Sequence, residues 1–303
     1  MTALLLSLIS LGTRVVYQDL PCPIGDDIVR VYQFVSGNSL GGYDSDLASY
    51  SSQGQFREYG VATCAENLFS LPVNQMQNPI DAAMHDQLLA ALAEEVAALP
   101  DPDEPTVWQR YGIAARMLKE LGGSTLEQAE LYLQASWTAR DTVVGYHQGL
   151  TGPGAVSTLM ALGAEELKKP LTDEQRRAIL YTLARAAHRG GLSTARNEFL
   201  KQFEALDELS TGDQAAITEF RNIATTVEPH YQDLAIGAFQ ASLLEGISAE
   251  SRIRTTYLIA DLMRRRGRYS EARPLYEAVL SNEGTPPNIR EMAELLVSEL
   301  PSR

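Results

Sequence analysis

Cysteine is nearly absent: Cys22 and Cys64 are the only two in 303 residues. That excludes a disulfide-rich scaffold and leaves too few thiolates for an ordinary four-ligand zinc site. Histidine is also scarce. His85, His147, His188 and His230 stand at no metal-binding spacing from one another, and there is no His-Glu-x-x-His. No Gly-x-Ser-x-Gly, P-loop or Gly-x-Gly-x-x-Gly occurs. Gly149-Leu-Thr-Gly-Pro-Gly154 lacks the lysine of a P-loop and reads as a connector. These absences leave no catalytic constellation, and the chain reads as non-enzymatic.

Positive charge is in short supply as well, with 25 Lys and Arg against 39 Asp and Glu, a net charge of −14 and a pI near 4.8. A nucleic-acid partner, which would require a basic stripe, is excluded. The one dense basic run, at 264 to 268, is read as a helix C-terminus whose cations complement the dipole. Long apolar runs are missing too. Ala3–Gly12 is half the roughly 20 residues a membrane-spanning helix needs, so no transmembrane segment is expected. The run fits the apolar stretch of a secretory signal over residues 1–12, with Ser10 and Gly12 as the small residues of a cut before Thr13. That reading places the protein in the periplasm or otherwise outside the cytoplasm. The alternative, a buried strand or short helix of a cytoplasmic protein, is favoured by the lack of Lys or Arg ahead of the run.

What the chain does have is a 45% hydrophobic content, enough for a substantial core, and a change of texture along its length. Residues 13–77 are rich in Gly, Ser, Tyr and Val. Arg14–Tyr17, Ile28–Val35 and Glu58–Thr63 read as strands, and the Gly- and Asn-rich stretch 36–47 reads as a loop. Residues 78–105 hold a helix started by Asn78-Pro79, followed by the rigid acidic linker Pro100–Pro105. From 106 to 303 helices come in pairs around Gly122-Gly123, Gly190-Gly191 and Gly267. The most regular pair is Arg252–Arg266 with Tyr269–Leu280, where Gly267, Tyr269, Ala272 and Tyr276 recur as in a tetratricopeptide (TPR) hairpin. The fold class is therefore mostly α: a small N-terminal β module followed by a degenerate TPR-like array of helical hairpins. Trp108, Tyr111, Tyr132 and Trp137 are assigned to packing inside the first hairpin.

Two clusters invite chemistry. Cys22-Pro-Ile-Gly25 and Cys64-Ala-Glu-Asn67 each look like half of a zinc knuckle, with Gly25 and Asn67 where second ligands would stand. Three readings stay open: a Cys22–Cys64 disulfide, a zinc site completed by Asp26, Asp27, Asp44 or Asp46, and two buried thiols. Asp44-Ser-Asp46 lies in a Gly-rich loop but lacks the further ligands of a calcium loop, so both carboxylates are read as turn caps.

The Cys-Pro turn, Gly41-Gly-Tyr-Asp-Ser-Asp-Leu47, Ala62–Ser70, the Ala129–Arg140 segment and Leu262–Ala272 together resemble an uncharacterised bacterial family, a domain of unknown function. Its members join a zinc-ribbon-like module to TPR-like helices. The resemblance spans most of residues 20 to 282 and implies this architecture; the family brings no established activity. The absent second cysteines weigh against its zinc. The resulting expectation is a protein-binding or scaffold protein that clasps an unidentified protein or peptide, preferably basic, in a helical groove. A metal-binding module protein is the alternative and a hydrolase a third reading.

Overall fold

Three helix ends close in the same way, and they set the architecture. At the ends of α2 (Val107–Glu120), α5 (Asp173–Arg189) and α9 (Ala249–Arg265), the chain makes the paired Schellman bonds: Gly123 N–H to Leu118 O, Leu192 N–H to Ala187 O and Arg268 N–H to Met263 O. Gly122, Gly191 and Gly267 take the left-handed conformation these turns need, at φ 76°, 69° and 73°. Each turn folds a second helix back on the first: α3 (Thr125–Val144), α6 (Ser193–Glu204) and α10 (Tyr269–Ser281). This computed structural model describes residues 14–52, 55–145 and 150–301, so the segment 1–12 read as a signal, His147 and Gly149 lie outside the described residues.

Helix starts are equally local. Capping boxes Thr106/Gln109, Ser124/Glu127, Thr172/Gln175 and Ser210/Asp213 open α2, α3, α5 and α7 (Thr211–Asn222). The remaining helices are α1 (His85–Ala97), α4 (Gly152–Glu166), α8 (Glu228–Leu244) and α11 (Pro287–Glu299). The sequence suggests a break between residues 226 and 229, but there is none. A π turn over Ile223–Val227 joins α7 to α8 in one rod. Pro229 has no N–H to return to the preceding turn, and the wider π turn is where the ladder adjusts.

The β module holds two antiparallel pairs. β1 (Arg14–Pro21) pairs with β2 (Ile28–Ser36), Tyr17 opposite Tyr32; β3 (Val61–Thr63) pairs with β4 (Ser70–Pro72). The strand expected to start at Glu58 starts at Val61, because Phe56–Tyr59 is a 3-10 turn. That turn buries Arg57 against Asp141 of α3, and Tyr111 of α2 donates to Arg57 O at 2.8 Å. Gly60 makes room for the phenol: a Cβ there would stand 2.1 Å from its oxygen.

Packing is continuous across the module. Cys22, Val29, Val31, Cys64, Phe69 and Leu71 share one apolar cluster with Leu88 and Leu92 of α1 and Ile113 and Met117 of α2. The main core runs through α3 and α5–α11, and Ala48 and Tyr50 of the module's loop sit inside it. Tyr111 and Trp137 are buried, and Trp108 and Tyr132 are half-buried against the core. The architecture is thus mostly helical with a small N-terminal β portion. No described helix is long and apolar enough to cross a membrane.

Candidate functional site

The two cysteines meet in a disulfide with Cα atoms 5.8 Å apart. Around it, hydrogen bonds take the places where knuckle ligands would stand. Asp27 Oδ2 accepts from Ala65 N–H at 2.7 Å and from Glu66 N–H at 3.3 Å. The Asn67 side chain accepts from Phe69 N–H and reaches across to Ile24 O at 3.4 Å. Gly25 is closely surrounded, since a Cβ there would stand 3.2 Å from Cys22 Sγ and 3.1 Å from Asn67 Nδ2. Cys22, Asp27 and Cys64 nevertheless bring their ligand atoms within 4.8 Å of one another.

The Gly-rich loop corrects the sequence reading of Asp44 and Asp46. Both are buried, and neither is chiefly a turn cap. Arg140 of α3 donates from Nη1 to Asp44 at 2.8 Å, from Nη2 to Asp46 at 2.5 Å, and to Glu228 of α8 at 2.6 Å. Arg189, at the end of α5, donates to Asp44 Oδ1 at 2.8 Å and stacks 3.8 Å above the Tyr50 ring. Ser45 donates to Asp261 and accepts from Arg264 and Arg265, each at 2.9 Å, while Tyr257 donates to its carbonyl. Leu47 is held at φ 69°, rare for a side chain of its size. The loop is therefore held by arginines of three helices, α3, α5 and α9.

The basic run ends α9, as the sequence suggests, and its side chains are paired as well. Arg264 and Arg265 are buried partners of Asp261 and the loop, Arg266 pairs with Asp233, and Arg268 with Glu271. Tyr276, chosen for hairpin packing, also donates to Asp261 at 2.8 Å. Burial alone would raise the carboxyls of Asp46, Asp261 and Glu228, but the guanidiniums outweigh it: Arg140 and Arg265 for Asp46, Arg264 and Arg265 for Asp261, Arg140 for Glu228. All three are held low, Glu228 down to about 2. Asp141 goes the other way: its burial outweighs Arg57 and raises it.

His188, in the last turn of α5, is buried between Arg196 and Glu228. Arg196 Nη1 lies 3.2 Å from His188 Nδ1, and an arginine can only donate, so Nδ1 is the acceptor and Nε2 carries the hydrogen. Nε2 stands 2.8 Å from Glu228 Oε2, though the N–H is out of line for a good hydrogen bond. Burial lowers the imidazole and keeps it neutral. With Nδ1 engaged by Arg196, neither ring nitrogen of His188 is free to take a proton.

The surface inverts this interior. The β1–β2 hairpin exposes Tyr17 (64%), Tyr32 and Phe34 (44%) on one face, with Ile28 beside them. Tyr32 stacks on Tyr59 and Phe34 on Phe56, each with ring centres 5.5 Å apart, and Arg30 lies 4.8 Å over Tyr17 while pairing with Asp19. Val16 and Val35 are exposed on the opposite face. Among the described residues β1 has β2 on one side only, leaving its outer edge open. No sequence signal marked this patch as exposed, because the alternation that defines a strand does not say which face is covered. No family model matches the chain, and no curated protein or solved structure matches it.

Proposed function

We propose that the chain is a non-enzymatic binding or scaffold protein of an exported, periplasmic kind, and that its protein partner docks on the β1–β2 hairpin rather than inside the helical array. The observation that carries this reading is the exposed apolar hairpin with an open strand edge. Large exposed apolar patches mark interaction sites, and an unpaired edge of eight residues offers a ready template for an added strand. A partner segment in extended form would pair with β1 and place alternate apolar side chains against Tyr17, Tyr32 and Phe34. Asp44, Ser45 and Asp46 cover the arginines of α3, α5 and α9, which leaves those side chains unavailable to a partner. Export is supported by the Cys22–Cys64 bridge, which suits an oxidising compartment.

The test is affinity capture from the native source with the wild-type chain and with Tyr17→Ser/Phe34→Ser. A partner held by the wild type and lost by the double variant at unchanged thermal stability supports the reading. A partner that binds both equally removes the hairpin from it.

A second reading rests on the approach of Cys22, Asp27 and Cys64: reduced, the two thiolates and the carboxylate could take a zinc ion. Asp27 Oδ2 is already committed to two backbone N–H groups, which makes this the weaker reading. Intact-mass analysis of natively purified protein before and after reduction, together with metal analysis, separates the two. A bridged chain lacking residues 1–12 supports export, whereas free thiols with one equivalent of zinc support the metal module.

A further inference from the structure

Beneath the surface, the charge count of the buried cluster does not close. Asp44, Asp46, Asp261 and Glu228 balance Arg140, Arg189, Arg264 and Arg265, and Arg57 pairs with Asp141. Arg196 of α6 is left over. It is only 7% exposed, yet no carboxylate among the described residues comes within ion-pair distance of it. Its Nε donates to Asn197, and its Nη1 faces His188 Nδ1 and Ala224 O. Its Nη2 meets no acceptor among the described residues. A buried guanidinium without a counter-charge is costly. Its proton is accordingly held less tightly: burial lowers Arg196, and Glu228 offsets this only in part.

Arg196 lines a cavity of about 260 Å³. Ser193 and Gly191 line it as well, at the start of α6. That helix has no side-chain cap, so the N–H groups of Ser193, Thr194 and Ala195 have no acceptor among the described residues. The one carboxylate on the cavity wall, Glu228, has Oε1 bound by Arg140 and Gln232, and Oε2 faces the neutral His188. Arg265 on the same wall is engaged by Asp261 and Ser45, and Arg266 by Asp233. The wall therefore carries one cation with no carboxylate partner among the described residues, beside an uncapped helix N-terminus.

We propose that this cavity binds a small oxyanion, a phosphate or carboxylate group, held by Arg196 and the N–H of Ser193 at the start of α6. Both donors are of the kind that fits such a group: a guanidinium edge and the positive end of a helix. The surrounding protein is strongly acidic, so non-specific accumulation of anions works against binding, and saturable binding identifies a built site.

The probes are inorganic phosphate, followed by ³¹P NMR and calorimetry at constant ionic strength, and a short peptide with a free C-terminal carboxylate alongside its amide. Saturable phosphate binding would identify a free or esterified phosphate as the source. Binding of the peptide acid but not its amide would identify a chain terminus. Arg196→Gln should weaken either by at least about tenfold. Should that variant fail to fold, Ser193→Asp decides. Its carboxylate at a helix N-terminus is favourable for the helix, so stability is retained, but it repels the anion and binding should be lost. Failure of both probes to bind above a sodium chloride control, or unaltered binding by Arg196→Gln or Ser193→Asp, overturns the proposal.

Discussion

Two stretches of the same β module meet opposite fates. The loop from Gly41 to Tyr50 carries two carboxylates and is buried; the hairpin from Arg14 to Ser36 carries a run of aromatic and branched side chains and is largely exposed. Simple hydropathy would exchange them. The loop goes inside because each of its charges finds a partner there: α3, α5 and α9 present Arg140, Arg189, Arg264 and Arg265 to it. The hairpin stays outside because only Val29, Val31 and their neighbours reach a covering layer. The difference teaches that partner availability, not polarity, decides what this fold buries. Helices that present arginines can be covered by a loop of their own chain.

The comparison breaks most visibly at Arg140. Arg140→Ala strands Asp44, Asp46 and Glu228 without their shared cation, and a cost of about 3 to 5 kcal/mol is expected, read by urea unfolding. A loss below about 1 kcal/mol would mean the loop is not locked. Opening the Cys22–Cys64 bridge with a Cys22→Ala/Cys64→Ala pair should cost about 3 to 4 kcal/mol on the chain-entropy estimate, since the bridge closes a separation of 42 residues. It should loosen the module while leaving the array's helical signal in place by circular dichroism.

Acid sharpens the same contrast. Asp46, Asp261 and Glu228 are held below their ordinary values in the fold, so the unfolded chain binds more protons as the pH falls. Their contribution is complete above about pH 4.5, the ordinary value for Glu228, and declines as pH falls toward about 2. Asp141, raised by burial, partly opposes this. A melting temperature that drops through that window in the wild type, and drops less in Glu228→Gln, is the expected outcome. The smallest effect belongs to the hairpin: Tyr17→Ser/Phe34→Ser should cost no more than about 1 kcal/mol per site, because Tyr17 is mostly in water and Phe34 keeps only its contact with Phe56. A larger loss would show that these rings support the fold.

Much of the architecture was legible in local signals. Gly122, Gly191 and Gly267 mark helix ends because left-handed turns demand glycine, so the hairpins of the array could be read from them. The π turn before Pro229 was not legible, since a proline inside a helix ordinarily signals a break. The partners of Asp44 and Asp46 were hidden for a different reason. Arg140 and Arg189 lie about 95 and 145 positions away, and nothing local to Asp44-Ser-Asp46 distinguishes a buried ion cluster from a solvated turn. Arg196 was equally silent, because an unpaired cation is defined by what does not come near it.

The most direct test of the account is amide hydrogen exchange resolved by residue. Gly41, Tyr43, Asp44 and Tyr50 donate backbone bonds to Tyr50, Leu150, Ala48 and Gly42, deep in the array. The account predicts that these amides exchange as slowly as those of α3 and α9, opening only with global unfolding, while outward-facing amides of β1 exchange orders of magnitude faster. Fast exchange at Asp44 and Tyr50 in an otherwise protected array would contradict it.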